Sequence, residues 1–128
     1  MRFEPAQERI HDPFGDMMNP PAKYVVSRTL DKPTWRNTTI IHDDDVVSAV
    51  RALKARPGKN ILCDGSSMLL HLLLAHSLVD EMHLSLCPLS LGGGKRLFPS
   101  GAVSRFKLVE AKPYPTGVVG LHYRLISP

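Results

Sequence analysis

The chain has 128 residues, of which 43% are hydrophobic, and its formal net charge is +4 at pH 7. This length supports one buried core and is too short for two ordinary domains. We therefore predict one domain over residues 23–128, preceded by an irregular arm over residues 1–22 that prolines interrupt. The sixteen Lys and Arg are scattered along the chain, which favours a mildly basic surface over a nucleic-acid partner.

The cysteines and the apolar runs indicate the compartment. Cys63 and Cys87 form no CxxC motif and lie in apolar runs, which predicts buried, reduced thiols. Reduced thiols are typical of a cytoplasmic protein. The longest apolar run, residues 68–74, is far shorter than a bilayer span, so no membrane partner is expected.

The first half of the sequence predicts two strands and a helix. β-branched and aromatic residues predict strands over residues 23–28 and 38–41. Apolar residues at helical spacing follow three aspartates at positions 43–45, and Pro57-Gly58 ends the pattern. Aspartates at a helix start complement the helix dipole, so we favour capping over a metal or acid–base role.

A strand, a glycine turn and a helix start follow one another in the middle of the chain. Residues 60–63 are predicted as a strand and residues 68–76 as a helix, with Asp64-Gly65-Ser66-Ser67 between them. A helix opened by Gly and two Ser presents backbone N–H groups and hydroxyls that suit a phosphate. By residue type, a plain capping turn fits equally well.

The last third predicts an antiparallel edge. Alternating apolar residues predict a strand over residues 82–86, and strands over residues 105–110 and 118–126 are predicted to form a hairpin. Helices separate the earlier strands. The expected fold class is therefore α/β, with a mixed, mostly parallel sheet flanked by helices and a C-terminal antiparallel hairpin.

Two other patterns argue against a Walker phosphate loop and against a catalytic or metal site built from histidines. The loop Gly92-Gly93-Gly94-Lys95 is not a Walker phosphate loop, because Leu89 occupies the required glycine position and Arg96 the required Ser or Thr position. The six histidines show no paired carboxylate and no metal-ligand spacing.

Four stretches in succession resemble one family. Residues 23–30 (KYVVSRTL), 64–67 (DGSS) and 78–81 (LVDE), followed by Pro88 and residues 92–98 (GGGKRLF), are similar to the dihydrofolate reductase-like family. This family includes the C-terminal reductase domain of bacterial riboflavin biosynthesis, the RibD C-terminal domain. The resemblance covers the chain from about Asp12 to its end.

The resemblance implies an NADPH-dependent reductase that transfers hydride to a small pterin or aminopyrimidine-like substrate. It places Ser27, Arg28 and Thr29 near the 2′-phosphate of the cofactor, and a guanidinium beside hydroxyls suits that dianion. It places Gly65, Ser66 and Ser67 at the pyrophosphate and ribose. The loop Gly92, Gly93, Gly94 would lie on the substrate side, although a structural turn is equally compatible. The resemblance implies no metal and no particular catalytic side chain.

Members of this family begin with a strand, a helix and a second strand that ends in a Gly-Arg turn. Residues 1–10 are too short and too polar to replace them, so we expect an N-terminally truncated, partial domain. Three explanations stay open: a misplaced start, a sheet with a new strand order, and a homodimer whose two copies pair where the missing strand would lie. The alternative function is an inactive remnant that serves as a nucleotide-binding or self-association module.

Overall fold

Backbone hydrogen bonds divide the protein into two β-sheets. The computed structural model describes residues 13–126. It forms two compact units, the first ending at Leu53 and the second beginning at Lys54, and each is described on its own. The predicted domain over residues 23–128 spans both units. The predicted arm begins with residues 1–12, which lie outside the described residues.

The first unit contains a short parallel sheet and two helices. Its elements are α1 (Pro13–Met18), β1 (Lys23–Val26), β2 (Thr38–Ile41), a 3₁₀ turn (Asp43–Asp45) and α2 (Val46–Ala55), the end of which reaches into the second unit. Helix α1 falls within the predicted irregular arm. Its Pro13 occupies the first helical position, where the missing N–H group has no cost.

Strands β1 and β2 are parallel and in register, with Val26 opposite Ile41. The side chains of Ile41 and Val46 are buried, and Val46 is only 1% exposed. Val46 begins the helix whose apolar spacing was visible in the sequence. The predicted strand over residues 38–41 and the predicted helix are confirmed, while β1 ends two residues before the predicted boundary.

The second unit contains one helix and an antiparallel sheet. Its elements are α3 (Ser67–Ala75), β3 (Glu81–Leu86), β4 (Arg105–Pro113) and β5 (Val119–Ile126). The strand order is β3-β5-β4, so β5 is central and pairs with both neighbours. The predicted hairpin is confirmed as β4 and β5, whose turn is closed by hydrogen bonds between Tyr114 and Val118 and between Gly117 and Tyr114.

Alternation along the three strands separates an apolar face from a polar face. Tyr123 of β5 lies opposite Met82 on one side and Leu108 on the other. Phe106 stacks edge-on against Tyr123, with ring centroids 6.0 Å apart. Met82 is buried, and so is Leu73 of α3, so these two side chains mark the core of the second unit.

The prediction of one mostly parallel sheet is only partly correct. The fold is α/β, but among residues 13–126 the parallel sheet has two strands and the antiparallel sheet has three. Residues 60–63 do not form the predicted strand, and Leu62 is 83% exposed. Apolar residues favour a strand, but a strand also needs a neighbouring backbone to pair with, and this segment has none in the described chain.

The prediction of buried cysteines is wrong. Cys63 and Cys87 are both free thiols, and both are exposed. Cys63 is exposed because the segment that carries it is not in a sheet, and Cys87 lies just beyond the end of β3. Within the described range, no helix combines the length and the apolar character needed to cross a bilayer.

We expect Leu73→Ala to lower the free energy of unfolding by about 2–4 kcal/mol, because truncating a buried leucine removes packing and leaves a cavity. Leu62→Ala is the matched control, and an exposed site of this kind should change stability by less than about 0.5 kcal/mol. Urea denaturation followed by circular dichroism measures both. Equal losses in the two variants would contradict the placement of the core.

Candidate functional site

The residues predicted to bind the cofactor lie in both units. In the first unit, Ser27 directly follows β1 and its backbone N–H donates to the Ile41 carbonyl at 3.1 Å. The Ser27 hydroxyl accepts hydrogen bonds from the backbone N–H groups of Thr29 at 3.3 Å and Leu30 at 3.1 Å. The hydroxyl therefore closes the turn locally, as Ser commonly does, and fixes the backbone on either side of Arg28.

Arg28 extends from this turn toward solvent, and its side chain is 83% exposed. Its Nε donates to the carboxylate of Asp43. The hydrogen bond and the negative charge of Asp43 raise the pKa of Arg28 further above its usual value, so the group is always a cation. Asp43 contacts Nε, and a guanidinium has five N–H donors, so the terminal nitrogens keep donors that can bind an anion.

The three aspartates at positions 43–45 behave as a helix start. They form the 3₁₀ turn that leads into α2, and the Asp45 N–H donates to the His42 carbonyl at 2.9 Å. Ser48 Oγ donates to the Asp45 carbonyl at 3.1 Å. In the described part of the chain, these aspartates do not bring three metal-ligand atoms together.

In the second unit, Gly65 and the two serines open helix α3. Gly65 has a φ of 83°, which is a left-handed conformation that favours glycine. No atom lies within 4 Å of the position that a side chain would occupy there. Ser66 is the N-cap of α3, and its Oγ accepts from the Leu69 N–H at 3.5 Å. Apart from the Leu69 N–H that Ser66 caps, the first N–H groups of α3 have no carbonyl partner within the helix.

The segment after the loop Gly92–Gly94 contacts helix α3 through a hydrogen bond. His71 lies one helical turn after Ser67, on the same face of α3. Its Nε2 donates to the Leu97 carbonyl at 2.9 Å, so the segment that follows Gly94 is held against the first half of α3. Both predicted groups, Gly65–Ser67 and Gly92–Gly94, belong to the second unit.

Cys63 is a thiol next to this turn that the sequence did not mark as functional. Its Sγ lies 3.0 Å from the Gly65 carbonyl oxygen. Partial loss of solvent around the sulfur, and then the negative charge of Asp64, raise the pKa of the Cys63 thiol. The thiol is therefore mostly protonated at neutral pH, and its reactivity depends on the charge of Asp64.

The prediction that the histidines have no paired carboxylate is wrong for His122. Its Nε2 lies 2.9 Å from Glu81 Oε2. These residues are far apart in sequence and meet only because β3 and β5 are paired. The available signal was the alternation of both strands, which puts His83 and His122 on polar faces, but the strand register was not known.

The fold is shared with known proteins of one family. The RibD C-terminal domain family matches residues 2–120, which is most of the chain. The protein therefore belongs to the RibD C-terminal domain family, a reductase-like family.

One relative is similar in sequence over most of this chain. The chain is 36% identical over 102 residues to the uncharacterized protein YyaP of Bacillus subtilis strain 168, a match that covers 79% of this chain and 53% of that protein. The chain thus spans about half the length of this relative.

Two solved structures share the fold. One is a protein from Shewanella sp. PV-4 assigned to riboflavin biosynthesis, with a TM-score of 0.67, 17% identity, and coverage of 95% of this chain and 67% of that one. The other is a pyrimidine reductase-like protein from Corynebacterium diphtheriae, with a TM-score of 0.62, 19% identity, and coverage of 84% of this chain and 51% of that one.

We expect Asp64→Asn to make Cys63 react roughly two to three times faster with iodoacetamide at pH 8, because removing a neighbouring negative charge lowers a thiol pKa. Cys87 in the same molecule is the internal control, and mass spectrometry of the alkylated peptides gives both rates. An unchanged rate at Cys63, or equal acceleration at both thiols, would contradict the effect of Asp64.

Proposed function

We propose that this protein is an NADPH-dependent reductase of the riboflavin-pathway type, acting on an aminopyrimidine-like or pterin-like small molecule. One observation supports this most strongly. In a chain of the RibD C-terminal domain family, an open glycine turn with positive φ leads directly into the N-terminus of α3. Such a turn lets a phosphate approach the backbone N–H groups closely.

The residues at this turn fit a dinucleotide pyrophosphate. The space beside Gly65 is open, and Ser66 and Ser67 offer hydroxyls next to the first N–H groups of α3. The helix dipole adds partial positive charge at the same point. Asp64 is exposed beside the turn and is the one group there that would repel a phosphate.

Ser27, Arg28 and Thr29 fit the additional phosphate that distinguishes NADPH from NADH. The guanidinium is exposed, permanently charged and anchored at Nε by Asp43. An anchored fork loses less conformational entropy when it binds a dianion than a freely rotating side chain does. We therefore assign the preference for NADPH to Arg28, with Thr29 as a neighbouring hydroxyl donor.

The residues of the chain bind and orient, and the cofactor supplies the chemistry. When bound, NADPH provides the hydride that reduces the substrate carbon. The start of α3 would hold the pyrophosphate and so set the position of the nicotinamide. We assign the loop Gly92, Gly93, Gly94 to the substrate side, as the resemblance to the family implies.

A second candidate function is a self-association module that retains nucleotide binding without turnover. It is favoured by the apolar segment around Ile61 and Leu62, which is exposed and unpaired within residues 13–126. Sedimentation and a reductase assay distinguish the two. A homodimer that binds NADPH but reduces no aminopyrimidine or pterin substrate would support this candidate, whereas turnover by the purified chain would exclude it.

We expect Arg28→Ala to weaken NADPH binding by about tenfold or more, since a hydrogen bond between charged groups contributes about 1.5–3 kcal/mol. NADH affinity should not change, because NADH lacks the 2′-phosphate. Nicotinamide fluorescence titration measures both affinities. Arg51→Ala, which removes the same charge from the exposed face of α2, is the matched control. Equal weakening for NADPH and NADH, or an effect as large in the control, would contradict the assignment.

We expect Gly65→Ala to weaken NADPH binding by about tenfold or more, because a methyl group would occupy the space through which the phosphate reaches backbone donors. Gly101→Ala is the matched control, since Gly101 also has a positive φ of 77° and open space around it. Both variants should lose roughly 1–2 kcal/mol of stability from backbone strain. Equal NADPH affinity in the two variants would argue against the turn as the phosphate site.

A further inference from the structure

Three potential metal ligands lie together on the polar face of the antiparallel sheet. Glu81 and His83 are two residues apart on β3, so their side chains point to the same face. His122 on β5 is the direct register partner of His83. One ligand atom from each of the three side chains lies within 4.8 Å of the other two.

The three side chains contact one another and Arg124 through hydrogen bonds and ring stacking. His122 Nε2 lies 2.9 Å from Glu81 Oε2, and the other carboxylate oxygen accepts from Arg124 at 3.1 Å. The rings of His83 and His122 stack with centroids 4.1 Å apart. Arg124 thus fixes one carboxylate oxygen and leaves the other facing two imidazoles, as outer partners of metal ligands do.

The cluster borders a groove on the same face of the sheet. The groove has a volume of about 320 Å³, and its lining includes His83, His122, Glu110, Lys112 and Tyr114. Glu110 is the β4 residue in register with His122. A ligand set of three protein side chains beside an open groove is the arrangement of sites that leave one coordination position for water or for a small ligand.

We propose that Glu81, His83 and His122 bind one divalent transition-metal ion of the zinc class, with a fourth coordination position open to the groove. Two imidazoles with one carboxylate select zinc-like ions over magnesium or calcium, which prefer oxygen ligands. A tetrahedral zinc ion with bonds of about 2.0–2.1 Å needs its donor atoms about 3.3 Å apart. Small side-chain rotations would close the observed spacing, and Glu81 and His83 are exposed and able to make them.

A surface ion-pair network is the alternative explanation for part of this cluster. It accounts for Glu81, His122 and Arg124, but it gives His83 no electrostatic partner. A metal site requires His83. The variant His83→Ala keeps the contact between Glu81 and His122 and removes one proposed ligand, so it separates the two explanations.

Zinc binding to the chelator-treated, tag-free full chain tests the site, measured by competition with a chromogenic chelator. We expect one zinc ion per chain, and a loss of affinity of more than roughly 100-fold in His83→Ala, His122→Ala and Glu81→Gln, since losing an outer partner alone costs about 10–100-fold. Cobalt(II) should give a visible absorption band that zinc abolishes and that His83→Ala lacks. Circular dichroism confirms that each variant is folded.

His76→Ala is the matched control, because His76 is an exposed histidine at the end of α3, outside the cluster. Zinc affinity that is unchanged in His83→Ala would overturn the proposal. So would an equal loss in His76→Ala, or displacement of zinc by millimolar magnesium. None of these outcomes depends on NADPH, so the metal site and the cofactor site are tested separately.

Discussion

The pairing of β5 with two antiparallel neighbours is the constraint on which the second unit depends. Its register with β3 and β4 decides which side chains share a face, because a shift of one residue would exchange the two faces. In the observed register, Tyr123 lies with Met82 and Leu108 on the apolar side. His122 is placed beside His83 and Glu110 on the other side. The buried core and the proposed metal site are therefore consequences of the same hydrogen-bond ladder.

The apolar side of this sheet is also linked to the middle of α3. Phe106 contacts Tyr123, and Phe98 packs on Phe106 with ring centroids 5.7 Å apart. Next to Phe98, the Leu97 carbonyl accepts the hydrogen bond from His71 of α3. A continuous path of contacts thus leads from the central strand to the helix that Gly65 opens. The proposed phosphate site at the start of α3 would depend on this path, since backbone donors act only when the backbone is held in place.

Local patterns were sufficient to predict most elements, whereas the candidate cofactor residues came from the resemblance to the family and stay a prediction. Alternation in residues 82–86 predicted β3, helical spacing predicted α2, and the serines after Gly65 predicted the N-cap of α3. Features that depend on which segments pair in the fold could not be predicted from local patterns. The segment around Leu62 is as apolar as a strand but has no paired neighbour among the described residues, and its exposure also left Cys63 exposed. The meeting of His83 with His122 required the register of two strands distant in sequence.

Hydrogen exchange of backbone amides, with and without NADPH, tests the proposed cofactor site most directly. The amides at the start of α3, from Ser67 to Leu69, and those of the turn from Ser27 to Leu30 should exchange more slowly when NADPH is bound. With NADH, only the first group should be protected, because NADH lacks the 2′-phosphate that the turn is proposed to bind. Unchanged exchange at both segments under saturating NADPH, or protection confined to other parts of the chain, would contradict the proposed binding site.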